Sequence, residues 1–262
     1  MCLIFIAHRS HDQFPLVVAA NRDEFFTRQT TQAHLWPNGV LAGKDELAGG
    51  TWLGVNRKNR QLRFAAITNR RGRADAASTR SRGELTTQFL TSSVSAQDYA
   101  DSLSSHAQDF AGFNLLLSDG NSLLYVTNDE TNSGPILLNP GIYGLSNGVL
   151  DEPWPKLVRG KQRFTELISN AHDLETDALI RLMDDRSKPA DEDLPSRGLP
   201  LALERRLSSL FIENEPAEND LRDYGTLCST ALVLDQQGLL RFHERNFDSL
   251  GRANRSRFFH MS

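Results

Sequence analysis

Short apolar runs of strand length dominate the first third of the chain, and helical spacing takes over in two later stretches. Residues 3 to 7 (Leu-Ile-Phe-Ile-Ala) and 16 to 20 (Leu-Val-Val-Ala-Ala) are apolar on both faces. The polar stretch His8 to Pro15 lies between them, so the pair predicts a central antiparallel hairpin covered on both sides. Further strands are predicted over Trp52 to Asn56, Leu62 to Thr68, Phe113 to Leu117, Leu123 to Thr127, Ile142 to Leu145, Thr230 to Leu234 and Leu239 to His243. Most of the links are short and carry Gly, Asn or Asp, as in Asp119-Gly120-Asn121, which implies antiparallel pairing.

Helices are predicted in two places. Ser81 and Glu84 have capping-box spacing ahead of Leu85, Phe89 and Leu90, and Ala96, Tyr99, Ala100 and Leu103 form a second stripe. Pro155 suits a first helical position, after which Leu157, Val158, Phe164, Leu167 and Ile168 recur at helical spacing. Another helix is expected through Leu174 to Met183. Residues 184 to 200 are polar and broken by three prolines, which predicts a surface loop able to serve as a lid. With no linker-like boundary, residues 1 to 262 read as a single α+β domain: two antiparallel sheets packed face to face, with helices outside them.

Composition narrows the function classes. A net charge of −4, with cations scattered through Arg57 to Arg82, argues against a nucleic-acid partner. Two cysteines, Cys2 and Cys228, supply neither a disulfide framework nor a zinc site, and a reducing compartment fits them. No stretch approaches the roughly 18 apolar residues of a membrane span, and the N-terminal run is too short for a secretory segment. The expected location is cytoplasmic.

Cys2 carries the chemistry. Removal of Met1 would leave a thiol and a free α-amine on one residue, and an amine of pKa about 8 can take the proton of a thiol of pKa about 8.5. A hairpin turning around His11 to Gln13 pairs residues whose numbers sum to about 24, which sets Cys2 opposite Asn21-Arg22-Asp23-Glu24. The period of two puts Asn21 and Asp23 on one face, Arg22 and Glu24 on the other, so one of these pairs lies beside the thiol. A carboxylate there could orient the amine. An amide or guanidinium could hold a developing oxyanion.

Met1-Cys2, Ala19-Ala20-Asn21-Arg22-Asp23-Glu24-Phe25, Gly49-Gly50-Thr51-Trp52-Leu53-Gly54, Thr68-Asn69, Arg82-Gly83-Glu84-Leu85, Gly112-Phe113-Asn114-Leu115 and Tyr143-Gly144-Leu145-Ser146-Asn147 with Trp154-Pro155-Lys156 follow in order across most of the chain. Together they strongly resemble the NRDE family, that of the homologues of transport and Golgi organisation protein 2. The resemblance implies an N-terminal-nucleophile-hydrolase-like fold, a four-layer αββα sandwich. It also implies a Cys2-dependent hydrolase or acyltransferase acting on a small amide or thioester, with no cofactor required. In that reading Cys2 is nucleophile and base, Asp23 or Asn21 lies near its amine, and Asn69 and Asn147 make oxyanion or carbonyl contacts. Hydrolases of this fold carry Arg-Asn-x-Asp on the second strand, whereas this chain has Asn-Arg-Asp. If Asp23 takes the hydrolase aspartate's place, Ala20 stands where the arginine near the thiol is expected. The family's association with haem mobilisation and acyl-coenzyme A handling implies an alternative, a non-catalytic carrier binding haem non-covalently or an acyl-coenzyme A.

Several residues would furnish such a cleft. Trp52, flanked by glycines, could wall a pocket for an acyl chain or a flat ring. Thr230 matches a threonine of the family's C-terminal strand and would line the same pocket, as would Arg22 and Glu24. The arginines at 70, 71, 73, 80 and 82 could meet phosphate or propionate groups. Haem would take an axial donor from a cysteine thiolate, His8, His11 or His34, since no covalent attachment motif is present. Cys228 reads as a buried small residue.

Overall fold

The fold is taken from a computed structural model, which describes residues 2–58, 61–70, 80–103, 105–129, 134–195, 198–215 and 222–262. The chain folds as an α+β protein whose strand ladders are all antiparallel and form two sheets. Contacts group the described residues into two compact units. The first comprises residues 1–27, 140–146 and 150–262, and the second comprises 28–139 and 147–149.

The first unit is built on the predicted hairpin. Strands β1 (Cys2–His8) and β2 (Leu16–Phe25) pair with each other, β10 (Gly141–Leu145) flanks β1, and β11 (Tyr224–Leu234), β12 (Leu240–Phe247) and β13 (Ala253–Met261) continue outward from β2. The hairpin register places Cys2 opposite Arg22 and His8 opposite Leu16, so paired numbers sum to 24. Strands β1 and β2 have paired neighbours on both edges and are buried on both faces, and a strand buried on both faces needs no polar alternation, which neither shows before Asn21. One face carries Leu3, Phe5, Ala7, Val17, Ala19, Ala231 and Val233. These pack with Leu157, Phe164 and Ile168 of α3 (Pro155–Ser169) and Leu179, Ile180 and Met183 of α4 (Thr176–Met183). A short helix α5 (Leu201–Arg206) precedes a smaller cluster of Leu207, Ile212 and Tyr224.

The second unit orders its strands β3 (Thr30–Leu35), β4 (Leu41–Asp45), β5 (Leu53–Lys58), β6 (Gln61–Asn69), β7 (Phe113–Ser118), β8 (Leu123–Thr127) and β9 (Ile136–Leu137) as they occur in sequence. Helices α1 (Gly83–Thr91) and α2 (Ala96–Leu103) cover one face, joining Leu85, Phe89, Leu90 and Tyr99 to Ala65, Ile67, Leu115 and Leu117. The capping box expected from Ser81 and Glu84 does not form. The Glu84 carboxylate accepts from Arg80 Nε at 3.0 Å, an i,i+4 ion pair that competes for the same side chain, and the Ser81 hydroxyl accepts from Gly83 N at 3.3 Å.

Two glycines explain one motif. Gly49 has φ of 75°, a left-handed turn conformation, and a Cβ on Gly50 would stand 2.5 Å from the Gly83 carbonyl oxygen. Helix α1 therefore begins in direct backbone contact with the loop that leads into β5. Strands β3, β4, β9 and β13 and helix α5 add to the elements predicted from sequence. The 184–200 stretch is irregular apart from a 3₁₀ turn at Asp191–Asp193, and residues 196 and 197 lie outside the described residues.

Candidate functional site

In an antiparallel ladder directly opposed residues project from the same face. Arg22 of β2 is opposite Cys2 on one side and opposite Cys228 of β11 on the other. The thiol face of the first unit's sheet therefore carries the row Cys2, Arg22, Cys228, with Asn246 of β12 next. The adjacent row on this face runs Ile4, Ala20, Thr230, Glu244. Of the two pairs left open by the sequence, Arg22 and Glu24 share the face of the thiol. Ala20 keeps the place aligned with the hydrolase arginine, opposite Ile4, and an arginine stands on the thiol's face at Arg22 instead, because strand pairing decides which side chain is opposite Cys2.

Asn21 and Asp23 belong to the opposite face, and each is held there. The Asn21 amide donates to the Met183 and Leu210 carbonyls, both at 2.9 Å, and accepts from the Ser229 hydroxyl at 2.6 Å. The first two contacts tie β2 to the end of α4 and to the segment after α5, and the third ties β2 to β11. The Asp23 carboxylate accepts from the Thr226 hydroxyl at 2.7 Å, and its main-chain carbonyl accepts from the Tyr224 hydroxyl at 3.1 Å. A bulge at Leu227 sits between Thr226 and Cys228, so β11 meets Asp23 and Arg22 with one extra residue. Lys156, from the Trp-Pro-Lys motif, is buried with its Nζ donating to the Leu207 carbonyl at 2.9 Å.

Burial governs the electrostatics. It pushes the Cys2 thiol up to about 11, with the Asp23 and Glu24 carboxylates adding to the rise and Arg22 opposing it. Cys228 is raised as well, by burial first and then by Glu244. Burial also raises Asp23, against the Lys156 charge and the Thr226 hydrogen bond. Thr230 is 1% exposed, and its hydroxyl has no hydrogen-bond partner among the described residues. Both cysteines are free. They flank β2 at register, two strand spacings or about 9.6 Å apart, beyond the reach of a disulfide.

Asn69, Asn147 and Trp52 belong to the second unit. Asn147 is fully buried and donates from Nδ2 to the Asn69 carbonyl at 2.8 Å, while the Asn69 side chain ends β6 in an exposed position. Beside them Asn114 donates to Thr68 Oγ1 at 3.1 Å and to the Gly148 carbonyl at 2.9 Å, and accepts from the Tyr125 hydroxyl at 2.8 Å. Trp52 is half-buried and packs against the core of its own unit, and its carbonyl accepts from Ile67 N at 2.7 Å. Of the arginine cluster, residues 71 and 73 lie outside the described residues, Arg70 pairs with Asp129, and Arg80 pairs with Glu84.

A family model described as "Transport and Golgi organisation 2" matches residues 1–249. This chain belongs to that family. It is 34% identical to the Bos taurus "Transport and Golgi organization protein 2 homolog" over 94% of this chain and 93% of the relative. The Homo sapiens homologue is 33% identical over the same shares, and the Drosophila melanogaster "Transport and Golgi organization protein 2" is 28% identical over 95% and 93%. The family's motifs fall at two kinds of place in the structure. Some build backbone contacts, as Gly50 does against Gly83. Others hold the chain start, as Ser146 does by donating to the Cys2 carbonyl at 3.1 Å. Residues of the thiol face that sequence reasoning missed are Cys228 and Glu244. Both depend on β2–β11–β12 pairing across some 200 residues, for which no local signal exists.

Proposed function

We propose that this family member is a Cys2-dependent N-terminal-nucleophile hydrolase or acyltransferase acting on a small amide or thioester. The observation that carries the reading is the register of Cys2 opposite Arg22, which sets a guanidinium on the face of the thiol. A thiol of pKa about 11 is ionised only on the order of one part in 10⁴ at pH 7, so turnover requires a base. Removal of Met1 provides one. The α-amine of Cys2 takes the thiol proton while sulfur attacks the substrate carbonyl carbon. The C–N or C–S bond then breaks, with the proton passing to the leaving group, and leaves an acyl thioester on Cys2. Water or an acceptor nucleophile attacks that thioester and regenerates the thiol. Arg22 counters the negative charge that develops on the carbonyl oxygen. The four-layer αββα sandwich is the fold such an enzyme would have; taken separately, each unit has an antiparallel sheet with helices on one face.

A second reading, a carrier for haem or an acyl-coenzyme A, is favoured by the two thiols held protonated beside an arginine and an unsatisfied threonine hydroxyl. Such a face binds without reacting. Haem would take an axial donor from a cysteine thiolate or a histidine of this chain. No helix of the described residues is long and apolar enough to cross a membrane. The relatives' name refers to transport and Golgi organisation, a process and not a reaction.

The deciding experiment combines intact mass, to establish whether Met1 is removed, with turnover of a panel of amides and acyl thioesters by the wild type, Cys2→Ser and Cys2→Ala. The enzyme reading expects Met1 to be absent and turnover to fall at least 10³-fold in both variants. Equal turnover in all three sinks it. Micromolar binding of haem or an acyl-coenzyme A without turnover, unchanged in Cys2→Ser, establishes the carrier.

A further inference from the structure

Strand β13 closes one side of the first unit's sheet, and among the described residues no strand pairs with its outer edge. It is nine residues long, and residues 253 to 258 are all exposed. Long open edges expose rows of unpaired N–H and C=O groups, which proteins usually shorten, bulge or cover. The composition of this edge is one-sided. Between residues 249 and 262 there are three arginines and no acidic residue. Arg252 is engaged by Asp248 at 2.8 Å. Arg257 has Glu244 opposite it on β12, whereas Arg255 has the neutral Asn246. Arg255 and Arg257 project from one face of the strand. Phe258, 62% exposed, projects from the other, stacked on His243 with ring centroids 3.9 Å apart.

We propose that the outer edge of β13 is a docking site for an extended acidic segment of a partner protein, which adds to the sheet as a further strand. Main-chain hydrogen bonds supply the shared part of the affinity, and side-chain pairing supplies the selection. In the antiparallel register, the partner presents an acidic residue opposite Arg257 and another opposite Arg255. A variable residue faces Ser256, and an apolar residue precedes the first acid to cover Phe258, giving apolar-Glu-x-Glu. A second copy of this chain is excluded as the preferred occupant by the same charges. A two-fold pairing of β13 with itself centred on residues 255 to 257 sets arginines opposite or diagonal to arginines, which is repulsive. A lipid surface would use the charges and Phe258 but not the open hydrogen-bond ladder, so a strand accounts for more of what the edge presents.

The test uses the full chain with a labelled, blocked peptide containing Val-Glu-Thr-Glu, and a control containing Val-Lys-Thr-Lys. Binding is followed by anisotropy, and the amides of residues 253–261 by hydrogen exchange. The acidic peptide is expected to bind, to slow exchange in β13, and to weaken several-fold as salt rises from about 50 to 500 mM. In Arg255→Glu/Arg257→Glu, whose sites are exposed and whose fold is checked by circular dichroism, the preference is expected to reverse, with the acidic peptide losing about tenfold or more. Four results would overturn the proposal: equal binding of both peptides, no binding at millimolar peptide, binding of phosphatidylserine vesicles but not the peptide, or concentration-dependent self-association through β13.

Discussion

At the scale of single residues, the quartet Asn21-Arg22-Asp23-Glu24 divides its labour by parity. Arg22 stands with the thiol, while Asn21 is spent on holding β2 to the main chain near α4 and to Ser229. Each hydrogen bond of a buried amide that loses its partner leaves a group whose desolvation costs roughly 1–3 kcal/mol. Asn21→Ala strands two carbonyls and a hydroxyl at once, so urea unfolding is expected to show a loss of about 3 kcal/mol or more. A loss under about 1 kcal/mol would show that the three contacts are not worth what their geometry implies. The same substitution leaves Cys2 and Arg22 facing each other, so a variant that remains folded separates a structural role for Asn21 from a chemical one. The sequence identified the quartet as the partner of Cys2 but left open which pair shared the thiol's face. One step of register exchanges the two pairs, and register is fixed by the whole hairpin, not by the four residues.

Among elements, close approach matters more than intrinsic preference. Helix α3 crosses the sheet at Gly160, where a Cβ would lie 2.8 Å from Cε2 of the fully buried Phe5 and closer still to its Cζ. In an exposed helix Gly→Ala gains about 1 kcal/mol. Here overpacking of a ring that is itself packed on Phe164 is expected to reverse the sign, so Gly160→Ala should destabilise by about 1–2 kcal/mol in chemical unfolding. A stabilised variant would show that α3 can lift from β1 at little cost. Element type was legible where apolar periodicity was strong, as in β1, β2, β7, β8 and α3. It was not legible in β3 and β13, whose sequences Thr-Thr-Gln-Ala-His-Leu and Ala-Asn-Arg-Ser-Arg-Phe-Phe-His-Met are largely polar. Both are outermost strands, so their hydrogen-bonded neighbour, and not burial of their own side chains, makes them strands.

For the molecule as a whole, acid stability reports on packing no motif encodes. His243 is fully buried, with neither ring nitrogen hydrogen-bonded among the described residues, and faces Phe258 from β13, with Asp177 of α4 and Arg245 nearby in an ion pair at 2.6 Å. Burial and then Arg245 lower its pKa to about 4, against a smaller opposing effect of Asp177. The unfolded chain, with an ordinary histidine pKa near 6.5, binds the proton that the native state refuses, so stability is full above about pH 6.5 and falls as pH drops toward 4. The expected loss is on the order of 3 kcal/mol at pH 4. His243→Phe should flatten that part of the stability profile, measured by urea unfolding from pH 7 to 4, and an unchanged slope would assign it to other groups. By itself the sequence determined the α+β class, the antiparallel hairpin with its sum of 24, most helices and the family, because these follow from local periodicity and from motifs read in order. Only the tertiary structure decided that Arg22 stands opposite both cysteines, that Asn21 serves the fold, and that Cys228 and Glu244 join the thiol face. Those placements arise from strands far apart in the chain pairing in one register, and a side chain's face is set by that pairing.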